Sequence, residues 1–200
     1  MRGYLLHHWS GQDTNGYYAD IFHNDPYVWH VPYLWSFCHM GSHPKVEPGT
    51  VILWLTELEG GSPFCCDLVF VVGEVLPLIE AMQKYAPGDA LLAQTHFQQG
   101  LNNHEEAIGN FTCIADMKRS YIPHPPVPIQ DAVDRARRRF DPQSQPLSVS
   151  WATRKPLLRF EMIDDLVQYV EDHAQHRYRG PLPNAGAAPS AQGHSHKHSK

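Results

Sequence analysis

Large, mostly aromatic residues recur at every second position through an unusual stretch early in the chain. Tyr27, Trp29, Val31, Tyr33, Trp35 and Phe37 take every second place, with Val28, His30, Pro32, Leu34, Ser36 and Cys38 between them. A two-residue period puts the first set on one face of an extended segment. Pro32 has no N–H to give to a ladder, which predicts an edge strand or two short pieces. Before it, residues 3–9 read as a first strand. Residues 10–26 read as a loop, because Gly11, Asp13, Asn15, Gly16, Asn24, Asp25 and Pro26 all favour turns. Residues 43–50 form a turn that delivers residues 51–58 as a strand. The breaker Glu59-Gly60-Gly61-Ser62-Pro63 follows, and residues 64–76 read as a long buried strand rich in Val, Leu and Phe. Two strands joined by a Gly-rich turn predict an antiparallel hairpin.

The period then changes. Residues 77–85 predict a short helix with Pro77 in its first turn. Residues 89–99 predict a second, capped by Asp89. Residues 110–117 read as a strand, 121–128 as irregular, 130–140 as a helix and 147–151 as a last strand. The clearest helix covers 160–177. Its apolar face is Ile163, Leu166, Val167, Val170 and Ala174, with acids in the first turns and His176 and Arg177 in the last. Gly180 supplies the stop. From residue 181 the chain is Gly, Ala, Pro, Ser and His, with almost nothing to bury, and is expected to be disordered. The expected organisation is therefore one α+β domain over residues 1–179 and a His-containing tail over 180–200.

Composition narrows the partners. An apolar share of 42% suffices for one core. A formal net charge of -5 argues against a general polyanion binder. No secretory signal is visible, and the longest apolar run is broken by Gly73, Glu74 and Pro77, so no membrane span is expected. The 4 cysteines, Cys38, Cys65, Cys66 and Cys113, make no C-x-x-C pair. Reduced thiols in a cytoplasmic protein are the expectation.

Several residue groups could carry chemistry. An exposed aromatic face stacks nucleobases, at ~1–3 kcal/mol per base. The same face packed inward is a core, the more usual fate of aromatics. Trp29 and Trp35 are the candidates for a pocket rim. Arg135, Arg137, Arg138 and Arg139 cluster on the 130–140 helix, and 100° steps leave Arg135, Arg138 and Arg139 on one face. That face could hold phosphate, or pair with Asp131, Asp134 and Asp141 as a solvated surface. Cys38, His39 and His43, near His23, Asp25 and His30, offer ligand types for zinc at a spacing that fits no metal signature. His194, His196 and His198 alternate in the tail, where a solvated terminus is the simpler reading. Cys113 and His96 could pair as nucleophile and base, yet a buried inert thiol accounts for Cys113 more simply. There is no P-loop, G-x-S-x-G or G-x-G-x-x-G. No cofactor is expected.

The stretch Cys38-His39-Met40-Gly41-Ser42-His43-Pro44-Lys45-Val46-Glu47-Pro48-Gly49-Thr50-Val51-Ile52-Leu53 resembles the turn that introduces a barrel strand in PUA-like proteins. The segment from Leu68 to Tyr85, with Val71-Val72-Gly73-Glu74-Val75-Leu76, is similar to the next strand and helix in the nucleotide-modification-associated domains of that superfamily. The resemblance spans roughly residues 1–120 in layout. It implies a small mixed or antiparallel β-barrel with flanking helices, and a binding role around modified nucleobases, nucleotides or nucleic acid. Two other readings stand beside it. One is a metal-assisted hydrolase or nucleotide-modifying enzyme using the His-rich N-terminal segment. The other is a regulatory interaction protein without a small-molecule site.

Overall fold

A computed structural model describes residues 3–7, 10–12, 18–20, 34–36, 46–57, 63–85, 111–148, 157–158 and 160–179. In chain order the elements are β1 (Gly3–His7), β2 (Ser10–Gln12), β3 (Tyr18–Asp20), β4 (Leu34–Ser36), β5 (Val51–Glu57), β6 (Phe64–Pro77) and α1 (Leu78–Tyr85). Then come β7 (Phe111–Ala115), β8 (Ile122–His124), β9 (Val127–Pro128), α2 (Gln130–Phe140), β10 (Leu157–Leu158), α3 (Phe160–His173) and β11 (His176–Tyr178). The architecture is mixed α+β. A seven-stranded sheet runs β10-β1-β5-β6-β7-β4, with β9 also on β6, and among the described residues its path is open. β1 lies parallel to β5, Gly3 opposite Val51 and His7 opposite Leu55. β5 and β6 form the expected antiparallel pair.

Both faces of this sheet are covered, which is why β5 and β6 read as nearly unbroken apolar runs. On one face Tyr4, Leu6, Ile52, Trp54, Phe70 and Val72 pack with Leu78, Ala81 and Met82 of α1. On the other, Leu5, Leu53, Leu55, Val69 and Val71 pack with Val133 and Ala136 of α2 and Ile163, Leu166 and Val170 of α3. The helix phase read from the sequence holds: Ile163, Leu166 and Val170 are buried, and Val167 and Ala174 are half-buried at the margin.

Two irregularities shape β6. Leu68 stands opposite Trp54 and Cys66 opposite Leu55, so Asp67 is an extra residue bulged out of register. Val72 stands opposite Ala115 and Glu74 opposite Ile114, so Gly73 is a second one. A Cβ at Gly73 would lie 2.9 Å from the Asp116 backbone nitrogen, which leaves room there only for glycine. The 47–50 turn is pinned to this strand: Gly49, at φ 89, donates its N–H to the Val72 carbonyl at 2.7 Å.

The structure corrects four sequence expectations. The last helix stops at His173 rather than 177, because residues 176–178 leave it to pair with β8. Residues 10–26 are not wholly loop, since β2 and β3 pair antiparallel. The 121–128 segment holds β8 and β9, and Tyr121 bridges Val69. Residues 147–148 are not strand. Leu147 is instead packed into the core, and its N–H donates to the Asp134 carboxylate at 2.7 Å. The 89–99 helix and the 180–200 tail lie outside the described residues.

In urea unfolding, Leu166→Ala is expected to cost about 2–5 kcal/mol by opening a cavity beneath α3. Gln168→Ala, on the exposed side, should stay within about 0.5 kcal/mol. Equal losses would show that α3 does not present this face to the sheet.

Candidate functional site

Trp29, Cys38, His39, His43, His23, Asp25, His30 and His96 lie outside the described residues. Trp35 stands in β4 opposite Cys113 of β7, on a strand at the end of the sheet path. The arginines are all on α2. That helix is anchored at its start, where the Gln130 side-chain oxygen accepts the Phe64 N–H at 3.2 Å. Ala132, Val133 and Ala136 turn it toward the sheet. Arg137 donates to the Gln145 carbonyl at 2.6 Å and lies 3.8 Å from the Asp134 carboxylate. Arg139 forms an ion pair with Asp165 of α3. Arg135 and Arg138 are exposed and make no ion pair with a described residue. The face expected to present three arginines to phosphate therefore has two uncommitted ones. Its third, Arg139, is taken up by Asp165 of the neighbouring helix.

A different surface emerges where α3 ends. The His173 ring stacks on Tyr169 at 4.0 Å, and its Nδ1 lies 2.8 Å from the Tyr169 carbonyl. The final turn closes when Ala174 donates to Val170 at 2.9 Å. The chain then extends as His176-Arg177-Tyr178 and pairs with β8, His176 opposite His124 and Tyr178 opposite Ile122. Strand alternation sends His176 and Tyr178 to one face, with His124. The Tyr178 ring lies 5.8 Å from that of His124 and 6.1 Å from that of His176. Arg177 goes to the other face. Its guanidinium sits 6.0 Å from the Tyr121 ring centroid and 3.7 Å from the Glu171 carboxylate. His176, Arg177 and Arg179 are exposed, while His124 and Tyr178 are half-buried.

Sequence reasoning missed this ribbon for a physical reason. The cations His176 and Arg177 suit a helix C-terminus, so they were absorbed into the macrodipole argument. The signal that could have found them is the alternation of ring and cation in His176-Arg177-Tyr178-Arg179, a two-residue period just after a helical one.

Beneath the ribbon, Tyr121 is 1% exposed and its hydroxyl has no hydrogen-bond partner among the described residues. Burial first, then the Cys66 and Glu171 charges, push its ionisation up, so it stays a neutral phenol. At the carboxyl ends of the parallel pair β1 and β5, His7, Thr56 and Asp67 are also buried. The His7 ring meets Phe64 edge-on at 5.5 Å. Among the described residues, no group of three or more His, Cys, Asp and Glu could hold a metal ion.

Cys65, Cys66 and Cys113 are free and buried. Burial, helped by the negative Asp67, pushes the Cys65 thiol up to about 11 and Cys66 well above the ordinary 9.0. Burial alone pushes Cys113 up to about 12. These thiols are packing groups, not nucleophiles. An unfolded thiol ionises near 9.0 and the folded ones only at higher pH. Their ionisation therefore favours the unfolded chain, and stability should fall as pH rises from about 9 toward about 12. At pH 8, iodoacetamide should leave Cys65, Cys66 and Cys113 unmodified until denaturant is added, as read by peptide mass mapping. Native-state labelling of Cys113 would contradict its burial.

Comparison with family models, curated proteins and solved structures finds no match to this chain.

Proposed function

We propose that the protein is a binding module for a nucleobase, a nucleotide or a modified nucleic acid, with the β8–β11 ribbon as its contact surface. One observation carries this reading. The rings of His124, His176 and Tyr178 share one face of the ribbon, and among the described residues β11 has a single neighbour, β8. Flat rings at His124, His176 and Tyr178 suit base stacking, which needs no particular base. Arg179, exposed and just past the end of β11, suits phosphate, whereas Arg177 lies on the opposite face beside Glu171.

The net charge of -5 does not oppose a local contact of this kind, because salt screens charges more than about 10 Å away at 0.1 M. Arg135 and Arg138 are further candidate phosphate contacts. Arg139 is a weaker one, since Asp165 already neutralises it. Trp29 and Trp35 stay as an alternative stacking pair on the aromatic stripe. The same reading takes the sheet as part of a PUA-like barrel. The parallel start at β1 and β5 and the antiparallel run β5, β6, β7 support that layout.

The test is fluorescence anisotropy with a labelled single-stranded oligonucleotide, competed by mononucleotides up to millimolar concentration. His176→Ala, at an exposed position, should weaken binding about tenfold, in line with one lost stacking contact. Arg179→Gln should lower the slope of log affinity against log salt by about 0.7. Circular dichroism should show both variants folded. If Trp35→Ala weakens binding while His176→Ala does not, the aromatic stripe is the site. No binding by the folded wild type would end the binding-module reading.

A further inference from the structure

We propose that His124 and His176 form a two-imidazole clamp for a divalent transition-metal ion of the zinc, copper or nickel kind. This goes beyond the nucleotide reading, because it requires neither a base nor a phosphate. The argument begins with register. His124 and His176 are direct partners across an antiparallel pair, so both side chains stand on the same face of the ribbon. Directly opposed residues in such a pair hold their Cβ atoms about 4.5–5.5 Å apart. A metal-bound imidazole nitrogen sits about 2.0–2.1 Å from the ion, so two nitrogens on one ion lie roughly 3 Å apart. Two opposed histidines can reach that separation by side-chain rotation alone.

No hydrogen bond between either imidazole and another described residue has to be broken first, since neither imidazole makes one. Tyr178 contributes the ring beside both of them rather than a charge. The nearest cation on β11, Arg177, is on the opposite face, beside Tyr121 and Glu171. The Nδ1 atom of His124 is buried, which leaves Nε2 as the nitrogen to meet an ion. Neutral imidazole selects the later first-row dications over magnesium and calcium, which prefer oxygen. No third His, Cys, Asp or Glu joins the pair among the described residues. The other coordination positions therefore go to water or to an added ligand. An ion held this way ties β11 to β8 and stabilises the folded chain by mass action.

The experiment uses the full chain without nucleotide, with His194, His196 and His198 changed to Gln to silence the alternating histidines of the tail. Cu²⁺ is followed by electron paramagnetic resonance, and Zn²⁺ by calorimetry and by its effect on Tm. The expected result is one tight ion per chain, a copper spectrum split by two nitrogens, a rise in Tm with Zn²⁺ and no response to Mg²⁺. His176→Gln, at an exposed position, should lower affinity at least tenfold with the fold intact by circular dichroism, and His124→Gln should do the same. The proposal is overturned if the tail substitutions abolish binding, or if His176→Gln binds like its parent. Nucleotide binding measured in EDTA is a separate readout, so failure of the clamp leaves the contact surface to be judged independently.

Discussion

The main sheet and the two helix layers on it are arranged around the backbone hydrogen bonds of β6. Its first half pairs with β5 on one edge. Its other edge takes β9, then Tyr121, then β7 in turn. A strand buried on both faces and bonded on both edges has no exposed polar backbone to compete with water, so its apolar side chains can be contiguous. The two extra residues, Asp67 and Gly73, let one strand of this length serve successive partners. Each bulge adds local twist and re-aims the chain. Gly73 is held to glycine by the Asp116 backbone, and Ser120 closes the gap beside it by exchanging hydrogen bonds with the Val71 backbone at 2.9 and 3.2 Å.

The ribbon owes its place to that arrangement. Tyr121 bonds to Val69 through both backbone groups, at 2.9 and 3.0 Å, and this fixes the start of β8 against the sheet. α3 is set separately, by the close approach of Ile163 to Gly3, where a Cβ would lie 2.3 Å from the isoleucine side chain. With α3 seated on β1, its C-terminus delivers β11 to β8. The ring row and the arginines are thus positioned by two independent contacts with the core, one from each strand of the pair. The arginines of α2 are positioned by the helix interface instead, where Arg139 pairs with Asp165 of α3, while Arg137 pairs with Asp134 within its own helix.

Much of the sheet was legible because burial on both faces leaves a plain signal. Residues 64–76 carried the strand, and the Gly-rich breaker before them carried the hairpin. The amphipathic phase of α3 was legible for the same reason: Ile163, Leu166 and Val170 recur at helical spacing. Short pairings such as β8 with β11 were not legible. A three-residue strand is decided by a partner far away in sequence, not by its own propensity. The bulge at Asp67 was hidden because a single acid in an apolar run looks like an edge interruption rather than an extra buried residue. Of the candidate site residues, Arg135 and Arg138 were read correctly as exposed on one helix. For Arg139 the sequence offered only nearby acids, Asp131, Asp134 and Asp141, because its actual partner Asp165 lies on another helix and sequence separation conceals such a pair.

The central claim is that ligand contact concentrates on the β8–β11 ribbon. Backbone amide chemical shifts measured during a nucleotide titration test it most directly. The account predicts that the largest changes fall on Ile122, His124 and residues 176–179, with little change along α1. Changes confined to β4 and β7, or an unmoved spectrum at saturating nucleotide, would contradict it.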